Sequence, residues 1–368
     1  MKTRPAVHSI AIELTGQCNQ KCTYCYNAWR EDDGASLDDG GSERLLARVR
    51  KLVTQLDIDH VTLTGGEPLL KTDIWDVLDL LRDANVGVQI ISNGGPVTER
   101  VAQRLAPHQP AFVQITLNGP SAALHEEHVG EGHYDPTIRG IRALIANGVN
   151  VVGCVVVTSK NAPVLGEILE LWHELGVRHV ALSRFSPAGY SVQHAAELLP
   201  SRKHLMTAFE QGAAVGKKYG MQLSCTMPVP PCMFDFEPYE PIQFGFCPIG
   251  TDMQELALGP DGSLRNCTLH AHALGGVADI GANEIDLGEL LRHADRTEYR
   301  KKLPEFCVGC VHADTCGGGC GAAAQWMLGD DGDRRFVDPI VWQHVDNEFE
   351  QRLTNERTTT RRRLQVLA

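Results

Sequence analysis

Short apolar runs alternate with longer stretches whose apolar residues recur every three or four positions through the first half of the chain. Ile10–Leu14, His60–Thr64, Val86–Ser92, Ala111–Leu117, Val149–Thr158 and His179–Ser183 read as strands. Leu45, Leu46, Val49, Leu52, Val53 and Leu56 mark one face of a helix over Glu43–Leu56, with Ser42 placed to cap it. Asp73 is placed in the same way before Ile74–Ala84, and further helices are predicted near 98–106, 137–147 and 163–175. Strand–helix alternation predicts an α/β chain with a parallel sheet and helical crossovers. Six strands fit an open doubly wound sheet and a partial barrel alike. In both, ligands bind at the C-terminal strand ends.

The pattern changes after a connecting helix predicted at Lys203–Tyr219. Residues 226–248 are rich in proline, glycine and aromatic residues, as at a domain junction. Leu256-Ala257-Leu258 and Leu264-Arg265-Asn266 flank Gly259-Pro260-Asp261-Gly262, a hairpin signal. The expected division is therefore a barrel-like unit over 1–190, a connecting helix and linker over 191–230, a cysteine-rich unit over 231–345 and a polar tail over 346–368. The tail carries Arg352, Arg357 and Arg361-Arg362-Arg363, which suits a frayed polar helix or the docking of an acidic partner.

The net charge of −12, from 34 basic and 46 acidic residues, argues against nucleic-acid binding as the main task. The sequence holds no apolar run of ~20 residues that would span a membrane. The start, Met1-Lys2-Thr3-Arg4-Pro5, lacks a signal-peptide pattern, so a cytoplasmic location is expected. Twelve cysteines in a long chain without an export signal point to metal ligation rather than disulfides.

The predicted strand ends carry the candidate chemistry. Cys18, Cys22 and Cys25 place three thiols within eight residues after the first strand. Three thiolates can hold three irons of a [4Fe–4S] cubane and leave the fourth open to a small molecule. Half of a zinc site and disulfides are the alternatives. Gly65-Gly66-Glu67-Pro68 follows the second strand, where it serves as a turn or lets backbone approach a ligand beside one carboxylate. Ser92-Asn93-Gly94-Gly95 and Asn118-Gly119-Pro120 are polar, glycine-bearing turns after the next two. Arg184 follows the sixth, where it can clamp a carboxylate or cover the rim. His125, His128 and His133 do not fit a metal-binding helix and read as solvated loop residues. Cys154 lies in an apolar strand and reads as core. Later, Cys247-x14-Gly262-x4-Cys267 is followed by Cys307-x2-Cys310-x5-Cys316-x3-Cys320, which alone also suits a zinc ribbon.

Cys18-x3-Cys22-x-Tyr24-Cys25, with Gly65–Pro68 at the next strand end, resembles the signature of radical S-adenosylmethionine (SAM) enzymes. The later cysteine order resembles their SPASM domain, and the two resemblances together cover residues from about 8 to 345. They imply a (β/α)6 three-quarter barrel followed by a small auxiliary-cluster domain. Cys18, Cys22 and Cys25 would hold a cluster whose open iron chelates the amino and carboxylate groups of SAM. One electron then cleaves SAM to methionine and a 5′-deoxyadenosyl radical, which abstracts hydrogen from substrate. Tyr24 fills the aromatic position, and Gly65, Gly66 and Glu67 would hold the SAM amino group. Ser92 and Asn93 would meet its ribose and carboxylate, and Arg184 its carboxylate or the substrate.

The resemblance also implies two auxiliary clusters, three [4Fe–4S] clusters in all. Cys232, Cys247, Cys267 and Cys320 would hold the first, with Cys225 as second choice for Cys232. Cys307, Cys310 and Cys316 would hold the second, whose usual last cysteine is missing. Asp338-Pro339-Ile340-Val341 stands near that place, so an open iron, an oxygen ligand and loss of the cluster stay open. Asp338 is the nearest oxygen donor in sequence, followed by His344 as another side-chain candidate, and Asp338 also suits a turn before Pro339. Asn118 stands where relatives often carry aspartate, so no acid–base role is assigned to it.

The implied activity is an oxidoreductase of the radical SAM/SPASM type that oxidises or crosslinks an unactivated C–H bond, with a precursor peptide as substrate. A small-molecule dehydrogenase or epimerase is the alternative enzyme, and an iron–sulfur electron carrier or scaffold the alternative of another class. An electron carrier has no use for the Gly65–Pro68 loop. Flavodoxin or ferredoxin is the expected electron donor. The cysteine loop begins almost at once, without a winged-helix recognition segment before it, so a separate peptide-recognition protein is expected.

Overall fold

The computed structural model describes residues 4–32, 34, 41–276, 287, 302–329 and 336–345. The predicted tail lies outside these residues. β1 (Ala6–Glu13), α1 (Gly41–Gln55), β2 (Asp57–Thr64), α2 (Ile74–Asp83), β3 (Gly87–Ser92) and α3 (Glu99–Leu105) follow one another as the pattern predicts. So do β4 (Phe112–Thr116), α5 (Tyr134–Ala146), β5 (Val151–Val157), α6 (Leu165–Glu174) and β6 (His179–Arg184), while α4 (Ala122–Val129) is a helix where a loop was expected. The six strands pair in parallel in strict sequence order. A doubly wound sheet would reverse that order at a switch point. Sequential order is the winding of a partial barrel, which decides between the two architectures.

The strands turn apolar side chains outward to the helices and set several polar ones among the apolar residues of the inward face. Val61 and Leu63 of β2, Val88 and Ile90 of β3, and Val113 and Ile115 of β4 are buried in the common core. That core also takes Leu45, Val49 and Leu52 of α1, Ile74, Val77, Leu78 and Leu81 of α2, and Leu165, Ile168, Leu169 and Trp172 of α6. The alternate positions Thr62, Gln89, Gln114 and Thr116 line a central cavity. Gly153 is required by packing, because a Cβ there would stand 2.8 Å from the Trp172 ring.

The sheet does not stop at six strands. α7 (Ala195–Leu198) and α8 (Arg202–Tyr219) lead into β7 (Gln222–Cys225), which pairs in parallel with β6. β8 (Ile242–Phe244) pairs with β7. The predicted hairpin forms as β9 (Glu255–Leu258) and β10 (Ser263–Arg265), antiparallel, followed by β11 (Ala273–Gly276). β9 adds in parallel to β1 on the opposite edge, giving eleven strands. The segment expected as connecting helix and linker therefore also supplies a strand of the sheet.

The two predicted caps take another form. Asp73 caps nothing with its side chain, and Ser42 lies inside α1. The Ser42 hydroxyl instead donates to the Asp73 carboxylate at 2.6 Å, tying the start of α1 to the start of α2.

One buried ion pair joins the barrel to the C-terminal cysteine loop. Arg184, at the end of β6, donates to Asp338, and both side chains are 0% exposed. Removing one partner strands the other charge, at a cost of about 3–5 kcal/mol. Arg184→Met should therefore lower the thermal midpoint sharply, and Arg184→Met with Asp338→Leu should recover much of the loss, in anaerobic melting curves. A single variant melting like the wild type would show that the pair is not the anchor described.

Candidate active site

The cysteine loop after β1 is held by backbone on three sides. Thr15 and Gln17 carbonyls accept the amides of Gly66 and Glu67 at 2.6 and 2.8 Å. Lys21 and Thr23 amides donate to the Val129 and His128 carbonyls at 2.9 Å, and Ser191 donates to Cys25 at 2.9 Å. The glycines explain the first contact. A Cβ on Gly66 would stand 2.1 Å from the Gln17 carbonyl oxygen, and Gly65 has φ of 130°. Only glycine lets these two strand-end loops meet. The close approach is thus of chain to chain, where the sequence suggested chain to ligand.

Glu67 is buried and ties this loop to the end of β3. One carboxylate oxygen accepts the Ser92 hydroxyl at 2.8 Å and the Leu69 amide at 3.1 Å. The other accepts the Asn93 amide at 2.7 Å. Burial pushes the carboxyl up to about 7, against the pull of these three donors. A carboxylate offers about four acceptor positions, so one is left for a ligand. Asn93 turns its side-chain amide to Asn19 at 2.8 Å, with the Cys18 sulfur 3.8 Å away.

Cys18, Cys22 and Cys25 all line the cavity. Burial pushes each thiol up, Cys25 to about 12, and the Cys25 and Cys18 thiols add to the rise at Cys22. Thiols so placed ionise only when a cation takes the protons' place, so the donor set fits a metal cluster. The Tyr24 ring lies 6.5 Å, centroid to centroid, from that of His128, and burial pushes its phenol well above the usual range.

His128 and His125 are not solvated loop residues. Both are buried in α4. His125 Nδ1 accepts the Asn118 amide at 3.1 Å, and His128 Nε2 lies 2.9 Å from the Thr158 hydroxyl. Burial pushes His125 down to about 4, so it is a neutral strut behind the cysteine loop. His133 is half-buried. The Asn118 side-chain oxygen accepts the Val156 amide at 2.8 Å, a structural bond that fits the absence of an acid–base role.

The cavity measures about 490 Å3. Its mouth holds the three cysteines with Glu67, Ser92, Asn93 and Arg184, and its wall holds Gln89, Gln114, Thr116, Cys154 and Ser183. Cys154 is buried as expected but faces this space rather than apolar core alone. The inward polar residues were missed at first, yet their signal is in the sequence: Gln89, Gln114 and Thr116 interrupt strands at every second position.

Arg184 and Asp338 were expected at separate ligands and meet each other instead. Arg184 also donates to the Pro228 carbonyl and to the Ser186 hydroxyl, the latter at 2.9 Å. Asp338 accepts the Cys320 amide at 2.7 Å and the Ile340 amide at 3.1 Å. Three of its four acceptor positions are used within the protein. His344 is exposed on the helix Pro339–Val345.

The later thiols form two neighbourhoods. Cys267 is raised by burial and then by the thiols of Cys247 and Cys320. Cys307 and Cys310 share a turn closed by a 3.1 Å bond, and Gly317, Gly318 and Gly319 all have positive φ, which folds the chain back after Cys316. Cys232 is raised by burial and then by the thiols of Cys316 and Cys310. Cys225 is buried at the end of β7, where its thiol donates to the Met227 carbonyl at 3.5 Å.

A profile of the radical SAM superfamily matches residues 12–171. Mycofactocin maturase MftC of Mycobacterium tuberculosis is 27% identical over 318 residues, covering 84% of this chain and 77% of the relative. PqqA peptide cyclase of Xanthomonas campestris pv. campestris is 23% identical over 349 residues, covering 92% and 88%. The solved structure of anSMEcpe with bound AdoMet matches with a TM-score of 0.64 at 17% identity, over 96% of this chain and 100% of that one, a likeness of fold. The three-cysteine loop and Gly65–Pro68 fall inside the matched residues, so residues 12–171 carry a radical SAM domain.

Proposed function

We propose that the chain is a peptide maturase, a radical SAM oxidoreductase that oxidises or crosslinks a ribosomally made precursor peptide at an unactivated C–H bond. The observation that carries this reading is the similarity to mycofactocin maturase and PqqA peptide cyclase over 84% and 92% of the chain. The cavity wall supports it. Glutamine amides and hydroxyls offer paired donors and acceptors of the kind a peptide backbone satisfies.

When bound at Cys18, Cys22 and Cys25, the cluster supplies the electron that cleaves SAM to a 5′-deoxyadenosyl radical. The chain's own part is positioning and exclusion of water. Glu67 keeps one acceptor position toward the cavity, and Ser92 and Asn93 hold its carboxylate still. Cys247, Cys267 and Cys320, and separately Cys307, Cys310 and Cys316, are read as seats of two auxiliary clusters that take the substrate electron. The proposed external partners are a flavodoxin or ferredoxin and a separate peptide-recognition protein.

The direct test is anaerobic incubation with SAM, reductant and the short peptides encoded beside the gene, with and without neighbouring small proteins. Release of 5′-deoxyadenosine together with a peptide mass change is expected. Cleavage stimulated by free amino acids or sugars but by no peptide would sink the reading.

Changing Cys18, Cys22 and Cys25 together to Ala should abolish 5′-deoxyadenosine formation and leave iron in the C-terminal region. Cleavage surviving in that variant would refute the assignment. Glu67→Gln removes a charge-assisted contact of roughly 1.5–3 kcal/mol. SAM affinity should drop by about one to two orders of magnitude in anaerobic calorimetry. An unchanged affinity would leave Glu67 as a purely structural tie.

A further inference from the structure

We propose that Glu255, with Gln89 and Gln114, forms a subsite deep in the barrel for the basic side chain, an ammonium or a guanidinium, of a precursor-peptide residue. The inference rests on the peptide reading above and adds the chemistry of the residue that enters the cavity. Glu255 is carried in by the C-terminal hairpin. It stands on β9 opposite Ser9 of β1, while Thr62 stands on β2 opposite Ala11 of β1. Both β1 residues are small, so the Glu255 carboxylate reaches past that strand and accepts the Thr62 hydroxyl at 2.7 Å. This contact uses one of the roughly four acceptor positions of a carboxylate. Among the described residues the Glu255 side chain has no other hydrogen bond and no ion pair. The His60 imidazole, which this carboxylate would help to charge, is pushed below its usual range by burial and stays neutral. Thr62 pairs across the sheet with Gln89 of β3, and Gln114 lies on β4 opposite Ile91. Glu255, Gln89 and Gln114 all line the cavity and are half-buried. Neither glutamine side chain makes a hydrogen bond among the described residues.

A carboxylate only accepts, so its partner must donate, and a charged donor makes the stronger bond. The two arginines of the cavity lining do not serve here. Arg184 is paired with Asp338, and Arg30 follows the cysteine loop at the other end of the strands. The route inward is in part apolar, since Ile91, Phe112 and Val156 line the same space. It is also long. Ser9, the β1 partner of Glu255, lies four residues before Glu13 at the strand end, about 13 Å at the rise of a parallel strand. A group that enters from the strand ends therefore needs an apolar stem and a charged tip, the build of lysine and arginine. The two glutamine amides then meet the remaining N–H groups of that tip through their carbonyl oxygens. A neutral tip would leave the carboxylate without a counter-charge.

The test uses the full chain, reconstituted anaerobically and loaded with SAM. The probes are N-acetyl-lysine methylamide, its norleucine counterpart, which keeps the stem and lacks the ammonium, and the free diamine cadaverine. Calorimetry should show the lysine probe binding more tightly than the norleucine probe by about one to two orders of magnitude. Glu255→Gln should erase that preference. Thr62→Val, which removes the tie and keeps the carboxylate, should retain it. Equal affinity for the two probes, or affinity for neither, would overturn the proposal and leave Glu255 as a stitch between β9 and β2. A preference lost in Thr62→Val and kept in Glu255→Gln would overturn it as well. Failure of the peptide reading has a separate signature. Cadaverine would then bind as tightly as the lysine probe, lose its affinity in Glu255→Gln and stimulate 5′-deoxyadenosine release where no peptide does.

Discussion

The buried Arg184–Asp338 pair ties the end of the barrel sheet to the C-terminal cysteine loop. Its four hydrogen-bonding connections reach the end of β6, the Pro228 segment, the amide of Cys320 and the start of the helix Pro339–Val345. Arg184 and Asp338 are themselves 154 positions apart in sequence. A buried pair of this kind is a poor source of net stability, because desolvation offsets most of the attraction. Its value here is directional. A leucine pair would fill the same space, but it would not orient the Cys320 amide and the Pro228 carbonyl about one point.

A second buried pair does the same on the opposite edge of the sheet. Arg265 of β10 meets Glu13 at the end of β1, close to the cysteine loop, and burial still holds the Glu13 carboxyl up at about 7. β9 lies in parallel against β1, and Arg48 of α1 holds the Pro260 carbonyl of the hairpin at 2.6 Å. The chain beyond β6 therefore grips both edges of the partial barrel. Among the described residues β8 and β11 remain the outer strands, so the sheet is extended at its edges instead of closed on itself.

Much of this was legible in the sequence because its signals are local. Strand–helix alternation gave all six barrel strands, and the spacing of Leu45, Val49 and Leu52 gave α1. The Gly259–Gly262 turn gave the β9–β10 hairpin. The order of winding needed the pairing itself, since periodicity does not say which strand lies beside which. The same limit hid the two ion pairs, whose partners are separated by 154 and 252 positions. It also hid that Arg184 and Asp338, each read as a ligand, meet each other. His125 and His128 were read as solvated because histidine is polar. Their burial follows from α4 packing behind the cysteine loop, which no local pattern announces.

The inward polar residues connect the fold to its chemistry. In an ordinary parallel sheet both faces are covered and strands read as continuous apolar runs. Here Thr62, Gln89, Gln114 and Thr116 break those runs on the face turned to the cavity. Such groups are costly unless satisfied, and Thr62 shows one solution by donating to Glu255 of β9 at 2.7 Å. That bond stitches the added hairpin to the barrel wall from within. The cavity thus sets amides and hydroxyls among apolar side chains such as Ile91, Phe112 and Val156, with three thiols and the buried Glu67 carboxylate at the strand ends. A ligand that satisfies the wall must bring its own donors and acceptors. Its reactive bond must then face the three cysteines, beside the Gly65–Pro68 and Ser92–Gly95 loops at the same strand ends.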